Sequence, residues 1–289
     1  MPQSHGWRIL VATDGSDGAR RALEALPRLP LPDGTEVKVV TVVDTRSELP
    51  ETIRAHRRGA EKALESARTT LDRAGYKASS SLLEGPPAKA ILGEAEAWHA
   101  TVIVLGARGL GRVRGLALGS VSSGVVRAAP CSVLLIKKEL PALNVLAAVD
   151  ASEHGPAAAR KLAELRTKGT PVTVLGVIEP PYVKSLRLLP TAAANLVRAE
   201  IAAATRELDA AARAQLDELA SVFKRTGWKV NVVVRAGVPV REIKAMAARS
   251  RATLVCIGAR GTTGLERLLL GSVSEALLST PGLSLFIGR

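Results

Sequence analysis

Val102-Ile103-Val104-Leu105-Gly106-Ala107-Arg108-Gly109 returns 152 positions later as Leu254-Val255-Cys256-Ile257-Gly258-Ala259-Arg260-Gly261. Each copy is a short apolar run closed by a glycine-bounded turn, the pattern of a strand buried on both faces. Nine residues on, Gly119-Ser120-Val121-Ser122 and Gly271-Ser272-Val273-Ser274 stand at the same spacing in halves that otherwise diverge. Self-similarity of this kind marks a duplicated unit. Working outward, the run Trp7 to Ser16, which contains Ala12-Thr13-Asp14-Gly15-Ser16, comes back at an offset of 136 as Asn144 to Ser152, which ends Ala148-Val149-Asp150-Ala151-Ser152. Glu84-Gly85-Pro86-Pro87 with Ile91 comes back as Ala236-Gly237-Val238-Pro239 with Ile243. The offset grows by 16 between these landmarks, so the second copy carries an insertion between its first and third strands. Its place is the alanine-rich, helix-favouring stretch from Thr191 to Arg225 with its proline-rich approach.

Within each copy strands and helices alternate. Strands are expected at 8–13, 36–43, 77–83, 101–106 and 132–137, then at 144–149, 171–178, 228–235, 253–258 and 283–287. That alternation implies an α/β fold: two tandem five-stranded parallel sheets sandwiched by helices, with domains at 1–140 and 141–289 joined through a short connector at 138–143. Ligands of such sheets bind where the strand order reverses, beyond the carboxyl ends of the strands. If the order is 3-2-1-4-5, the switch lies between strands 1 and 4, and the loops there begin at Asp14 and Gly106, or at Asp150 and Gly258.

Composition is compatible with two packed domains: 289 residues, 47% apolar and 23% charged. The net charge of +13 suggests acidic partners. Lys and Arg divide evenly, 20 in residues 1–140 and 20 in 141–289, so no basic tail emerges. With two Tyr, two Phe and three Trp, stacking platforms are scarce, which weighs against nucleic acid. Cys131 and Cys256 sit singly in apolar runs without disulfide or zinc spacing and read as core thiols. No charged-then-apolar leader opens the chain and every long apolar stretch is interrupted, so no membrane partner is expected and the expected compartment is the cytoplasm.

The glycine loops carry the chemistry. A phosphate chain needs backbone amides at close approach, which glycine permits, and the N-terminus of a helix opening at Gly119 or Gly271 adds free N–H groups and a positive dipole end. Ser122 and Ser274 are candidates both for capping and for phosphate contact. Neither loop is a P-loop or a G-x-G-x-x-G fingerprint.

These residues resemble the universal stress protein family, whose ATP-binding branch shows G-x2-G-x9-G-[ST]; both copies match it without gaps. The resemblance spans residues 7–137 and 144–287. It implies an adenine nucleotide alpha hydrolase-like sheet of order 3-2-1-4-5, with ATP, with or without Mg²⁺, between strands 1 and 4. Carried over position by position, Ala12, Thr13 and Asp14 border the adenosine, Val42 meets the adenine, and Leu105, Gly106, Gly109, Gly119, Ser120, Val121 and Ser122 hold ribose and phosphates. The matching set is Ala148, Val149, Asp150, Val177, Ile257, Gly258, Gly261, Gly271, Ser272, Val273 and Ser274. Arg108 and Arg260 are further candidates. Val149 departs from Thr13 and Ala151 from Gly15. Arg112 and Arg114 in the first nine-residue stretch, against Glu266 and Arg267 in the second, favour a triphosphate in the first copy.

Catalysis is less legible. Hydrolysis would need a positioned water and usually a metal held by carboxylates, and the motif supplies neither plainly. His5, His56, His99 and His154 show no metal-ligand spacing, so no catalytic or metal residue is expected. The leading reading is a nucleotide-dependent sensor or binding module in stress response; a slow ATPase, an adenylating enzyme of the same superfamily and a ligand-free scaffold stay open. By the resemblance, the last strands of the two copies pair, forming a domain pair within one chain. A homodimer through the 191–225 helix also stays open, since its apolar spacing serves equally for packing on its own sheet.

Overall fold

The computed structural model describes residues 6–46, 50–109, 118–179, 191–260 and 270–289. The first half runs β1 (Arg8–Ala12), α1 (Asp17–Ala25), β2 (Glu36–Val43), α2 (Pro50–Arg73), β3 (Ala78–Glu84), α3 (Pro87–Ala97), β4 (Val102–Gly106), α4 (Ser120–Ala128) and β5 (Ser132–Ile136). The second runs β6 (Val145–Val149), α5 (His154–Ala163), β7 (Pro171–Ile178), α6 (Thr191–Arg225), β8 (Lys229–Ala236), α7 (Pro239–Arg249), β9 (Leu254–Gly258), α8 (Ser272–Leu278) and β10 (Ser284–Gly288). Every strand lies within about a residue of its expected place, the usual uncertainty of an element end. The insertion of the second half lies partly in α6, which has 35 residues where α2 has 24.

The two expected sheets are one. Ten strands form a continuous sheet of order β3-β2-β1-β4-β5-β10-β9-β6-β7-β8, so each half keeps the order 3-2-1-4-5. Pairing is parallel within each half and antiparallel at the junction, where Leu135, Leu134 and Val133 of β5 face Leu285, Phe286 and Ile287 of β10. Both strands are buried along their whole length. Left as edges they would expose unpaired backbone and two apolar faces, and joining them removes both liabilities. One face of the sheet is covered by α1, α2, α5 and α6 over a core that includes Trp7, Leu71, Phe223 and Phe286. The other is covered by α3, α4, α7 and α8 over a core that includes Ile91, Val125, Ile243 and Leu277. Each core runs across the junction without a break.

Side chains fasten the seam from both sides. Trp7, 1% exposed, stacks on Phe286 at 6.1 Å between ring centroids, donates its indole N–H to Glu164 at 2.6 Å and lies under the Lys161 ammonium. Lys137, just past β5, donates to the carbonyls of Leu277, Leu278 and Thr280 at the end of α8, at 3.1, 2.6 and 2.8 Å. Burial, with Lys244 nearby, holds its pKa down to about 8. Among the described residues no helix is long and apolar enough to cross a membrane.

Because Phe286 belongs to the cores of both halves, Phe286→Ala should remove about 3–5 kcal/mol of stability, measured by urea denaturation followed through tryptophan fluorescence. A loss below about 1 kcal/mol, the range of a surface change, contradicts a shared core.

Candidate functional site

At the end of β1 the chain must leave the sheet at once, and the residues there do so by local hydrogen bonding. Thr13 still bonds β2 through its N–H to the Val40 carbonyl at 2.9 Å. The Asp14 carboxylate then accepts the Ser16 N–H at 3.0 Å, an Asx turn, and Gly15 takes φ 76°, which favours glycine. Ser16 accepts the Ala19 N–H at 3.2 Å and caps α1. Ser16 and not Asp14 therefore caps α1, and the Asp14 carboxylate turns toward the loop after β4.

That loop is shaped by close backbone crossing. A Cβ on Gly106 would lie 2.3 Å from the Gly18 carbonyl carbon, and one on Gly18 only 2.0 Å from the Arg108 oxygen. Gly106 is therefore demanded by the passage of α1 over β4, whether or not a ligand is present. A Cβ on Gly109 would lie 2.2 Å from the Asp14 carboxylate, so a side chain there would displace that carboxylate. Gly119 is different. It is the N-cap of α4 at φ −76° and ψ 160°, a conformation open to any residue, and its nearest neighbour would be an ordinary 3.6 Å away. Among the described residues nothing requires glycine there; what its lack of a side chain leaves is open approach to the first turn of α4. Among the described residues no side chain caps that turn, which leaves its backbone N–H groups to an anion. The Ser122 hydroxyl is buried and donates to the Gly106 carbonyl at 2.8 Å, pinning α4 to the end of β4. Ser120 is exposed beside it.

These elements enclose a cavity of about 400 Å³ between the ends of β1 and β4, within the ~300–1,000 Å³ usual for small-molecule sites. Its lining includes all the first-half candidates: Ala12, Thr13, Asp14, Val42, Leu105, Gly106, Arg108, Gly109, Gly119, Ser120, Val121 and Ser122. Ala19, Val40, Pro87, Ile91 and Leu118 line it too, and sequence reading missed them as site residues. Pro87 and Ile91 were within reach, for they belong to a repeated landmark, whereas Val40 and Leu118 look like any core residue. The cavity is two-ended: Val40, Val42, Pro87, Ile91 and Leu105 make an apolar slot, and Asp14, Arg108 and the start of α4 make a polar end.

The second half repeats the scaffold. Ala148 and Val149 end β6, Val177 lies on β7, Ile257 and Gly258 end β9 with Arg260 just beyond, and Gly271 caps α8, which opens with Ser272, Val273 and Ser274. A Cβ on Gly258 would lie 2.7 Å from the backbone of His154 and Gly155, and Ser274 donates to the Gly258 carbonyl at 2.7 Å. The departures fall at the start: Ser152 donates both its N–H and its hydroxyl to Asp150, at 3.2 and 2.5 Å, and Gln215 of α6 donates to the Asp150 carbonyl at 3.4 Å. Gly261, and the charged residues Arg112, Arg114, Glu266 and Arg267, lie outside the described residues.

Fold and site define a tandem α/β protein with a cavity at the switch point of its first half, where such sheets take their ligands. The model of the universal stress protein family matches residues 7–137 and again 142–281, and the chain belongs to that family. A universal stress protein of Thermus aquaticus is 40% identical over 134 residues, covering 45% of this chain and 97% of its own length. Universal stress protein YxiE of Bacillus subtilis is 32% identical over 145 residues, covering 45% of this chain and 98% of its own. These relatives therefore correspond to one half of the molecule. Among solved structures, a universal stress protein from Archaeoglobus fulgidus superposes with a TM-score of 0.67 at 22% identity, covering 98% of both chains. A second, from Pseudomonas aeruginosa, gives 0.62 at 18%, covering 98% of this chain and 92% of its own.

The glycine geometry separates fold from ligand. Gly18→Ala should cost about 1–3 kcal/mol through overpacking, while Gly119→Ala should stay within about 1 kcal/mol of the unaltered chain. Equal losses in thermal or urea unfolding would contradict the distinction.

Proposed function

We propose that the chain is an ATP-binding universal stress protein, acting as a nucleotide-dependent sensor or regulatory module in the stress response of the cytoplasm. On this reading residues 1–140 and 141–289 are two domains, each with a nucleotide site. The observation that carries it is the two-ended cavity: an apolar slot next to a helix N-terminus that no described side chain caps. In the first half Val42 and Val40 take the adenine, Asp14 accepts from the ribose, and Gly109 with Gly119, Ser120 and the Val121 and Ser122 amides takes the phosphates. Ser122 contributes its amide and not its hydroxyl, because that hydroxyl is already committed to Gly106.

In the second half the same roles fall to Val177, Asp150, Gly261, Gly271 and Ser272 with the amides after it. That site is the weaker, since Val149 lacks the Thr13 hydroxyl. Bound nucleotide lies across the switch point between β1 and β4, where it biases the loop after β4 and the start of α4. Arg108 lends positive charge at the rim. Mg²⁺ is supplied with the nucleotide, and ATP is held rather than consumed.

Isothermal titration with ATP should show two unequal sites. Asp14→Ala should weaken the tighter by roughly tenfold or more, the worth of a hydrogen bond to a charged group, and Asp150→Ala should affect the other. No heat at millimolar ATP, or loss of the tighter site on Asp150→Ala, overturns the assignment; steady phosphate release overturns the reading as a binder.

A further inference from the structure

The helix that opens at the cavity's polar end is short and is held at its far end by the other half of the molecule. α4 spans nine residues, Ser120–Ala128, which is about 13 Å. Its N-terminal end is pinned by Ser122 to Gly106. Of its last carbonyls, that of Val125 is taken by the Ala129 N–H at 2.8 Å, while those of Val126 and Arg127 accept from the Arg289 guanidinium at 2.9 and 2.7 Å. Arg289 follows β10 across the seam, and its own N–H reaches Ser132 of β5. Such terminal carbonyls have no partner inside a helix, and a cation beside them also complements the negative end of the helix dipole.

The same position in the other copy shows that this contact is built rather than incidental. Lys137 stands 152 residues before Arg289, in the equivalent place after β5, and makes the reciprocal contact to the end of α8. Its N–H bonds Ser284, as that of Arg289 bonds Ser132. A second link ties the grip to the other half's own loop: the Gly288 carbonyl, one residue before Arg289, accepts the Ala259 N–H at 2.8 Å.

We propose that Arg289 is a positioning residue for the phosphate end of the first half's cavity: by holding the last carbonyls of α4 across the seam it fixes the first-turn amides of that helix, so the phosphate affinity of one half depends on the other. The inference rests on the nucleotide reading above. Arg289 touches no ligand in this scheme, because a whole helix separates it from the cavity. The effect is selective for what the amides hold: it bears on phosphates and leaves the adenosine slot, which is built from β2, α3 and Leu105 of β4, untouched.

The test compares ATP with adenosine in the full chain, using Arg289→Met and Arg289→Lys. Arg289→Met should weaken ATP at the tighter site roughly three- to tenfold, in the range of coupling through a packed element, and adenosine less than twofold. Arg289→Lys should restore ATP to within about twofold, because Lys137 demonstrates that an ammonium can make this contact. Unchanged ATP affinity, or equal weakening of ATP and adenosine, overturns the inference while leaving the nucleotide reading standing. A wild-type chain that binds no ATP overturns both. Should Arg289→Met not fold, hydrogen exchange on the wild-type chain decides: ATP, and not adenosine, should slow exchange along α4 as far as Ala129, and protection confined to residues 120–122 overturns the inference.

Discussion

The antiparallel pairing of β5 with β10 is the constraint on which the rest of the structure depends. Each half, taken by itself, ends in a strand that is apolar on both faces, and such a strand is soluble only when paired and covered. Joining the two end strands satisfies both copies with one ladder and merges their cores into two continuous layers. The antiparallel sense has a geometric consequence: the carboxyl ends of the strands, where the loops capable of binding lie, point to opposite edges of the sheet. The switch points of the two halves thus face opposite edges, while the far ends of α4 and α8 are gripped by residues from the neighbouring half.

Around the first cleft, packing and binding make different demands on residues of one type. Gly106 and Gly18 are required because two backbone segments cross with no room between them. Gly109 leaves the Asp14 carboxylate its place. Gly119 answers to neither, and so is the glycine most readily ascribed to a ligand. The motif is a composite: most of it builds the crossing that brings β1, α1 and the loop after β4 together, and only its last part faces outward.

Much of this could be read in the chain itself, for identifiable reasons. The strands are short apolar runs bounded by glycine and proline, and duplication supplied an internal check on each, as when Val102–Gly106 is matched by Leu254–Gly258. The switch-point rule is a rule about topology, which the alternation of elements reveals, and it places the loops after β1 and β4; the individual first-half candidates that line the cavity come from the family resemblance. What escaped reading depends on side chains meeting across long distances. Nothing local marks Val40 or Leu118 as lining a cleft rather than filling a core. Nothing local says that the Ser122 hydroxyl is spent on Gly106, since a serine at the start of a helix reads equally as cap, ligand or peg. The joining of the two halves did not escape: the resemblance implies that the last strands pair, and the two apolar end strands are its trace in the sequence.

The most direct test of the central claim is a crystal structure of the chain grown with ATP. The account predicts nucleotide in the first half with its base against Val40 and Val42 and its phosphates at the amides of Ser120, Val121 and Ser122, with the seam unchanged. Nucleotide bound elsewhere on the surface, or a cleft between β1 and β4 without nucleotide at saturating ATP, would contradict it.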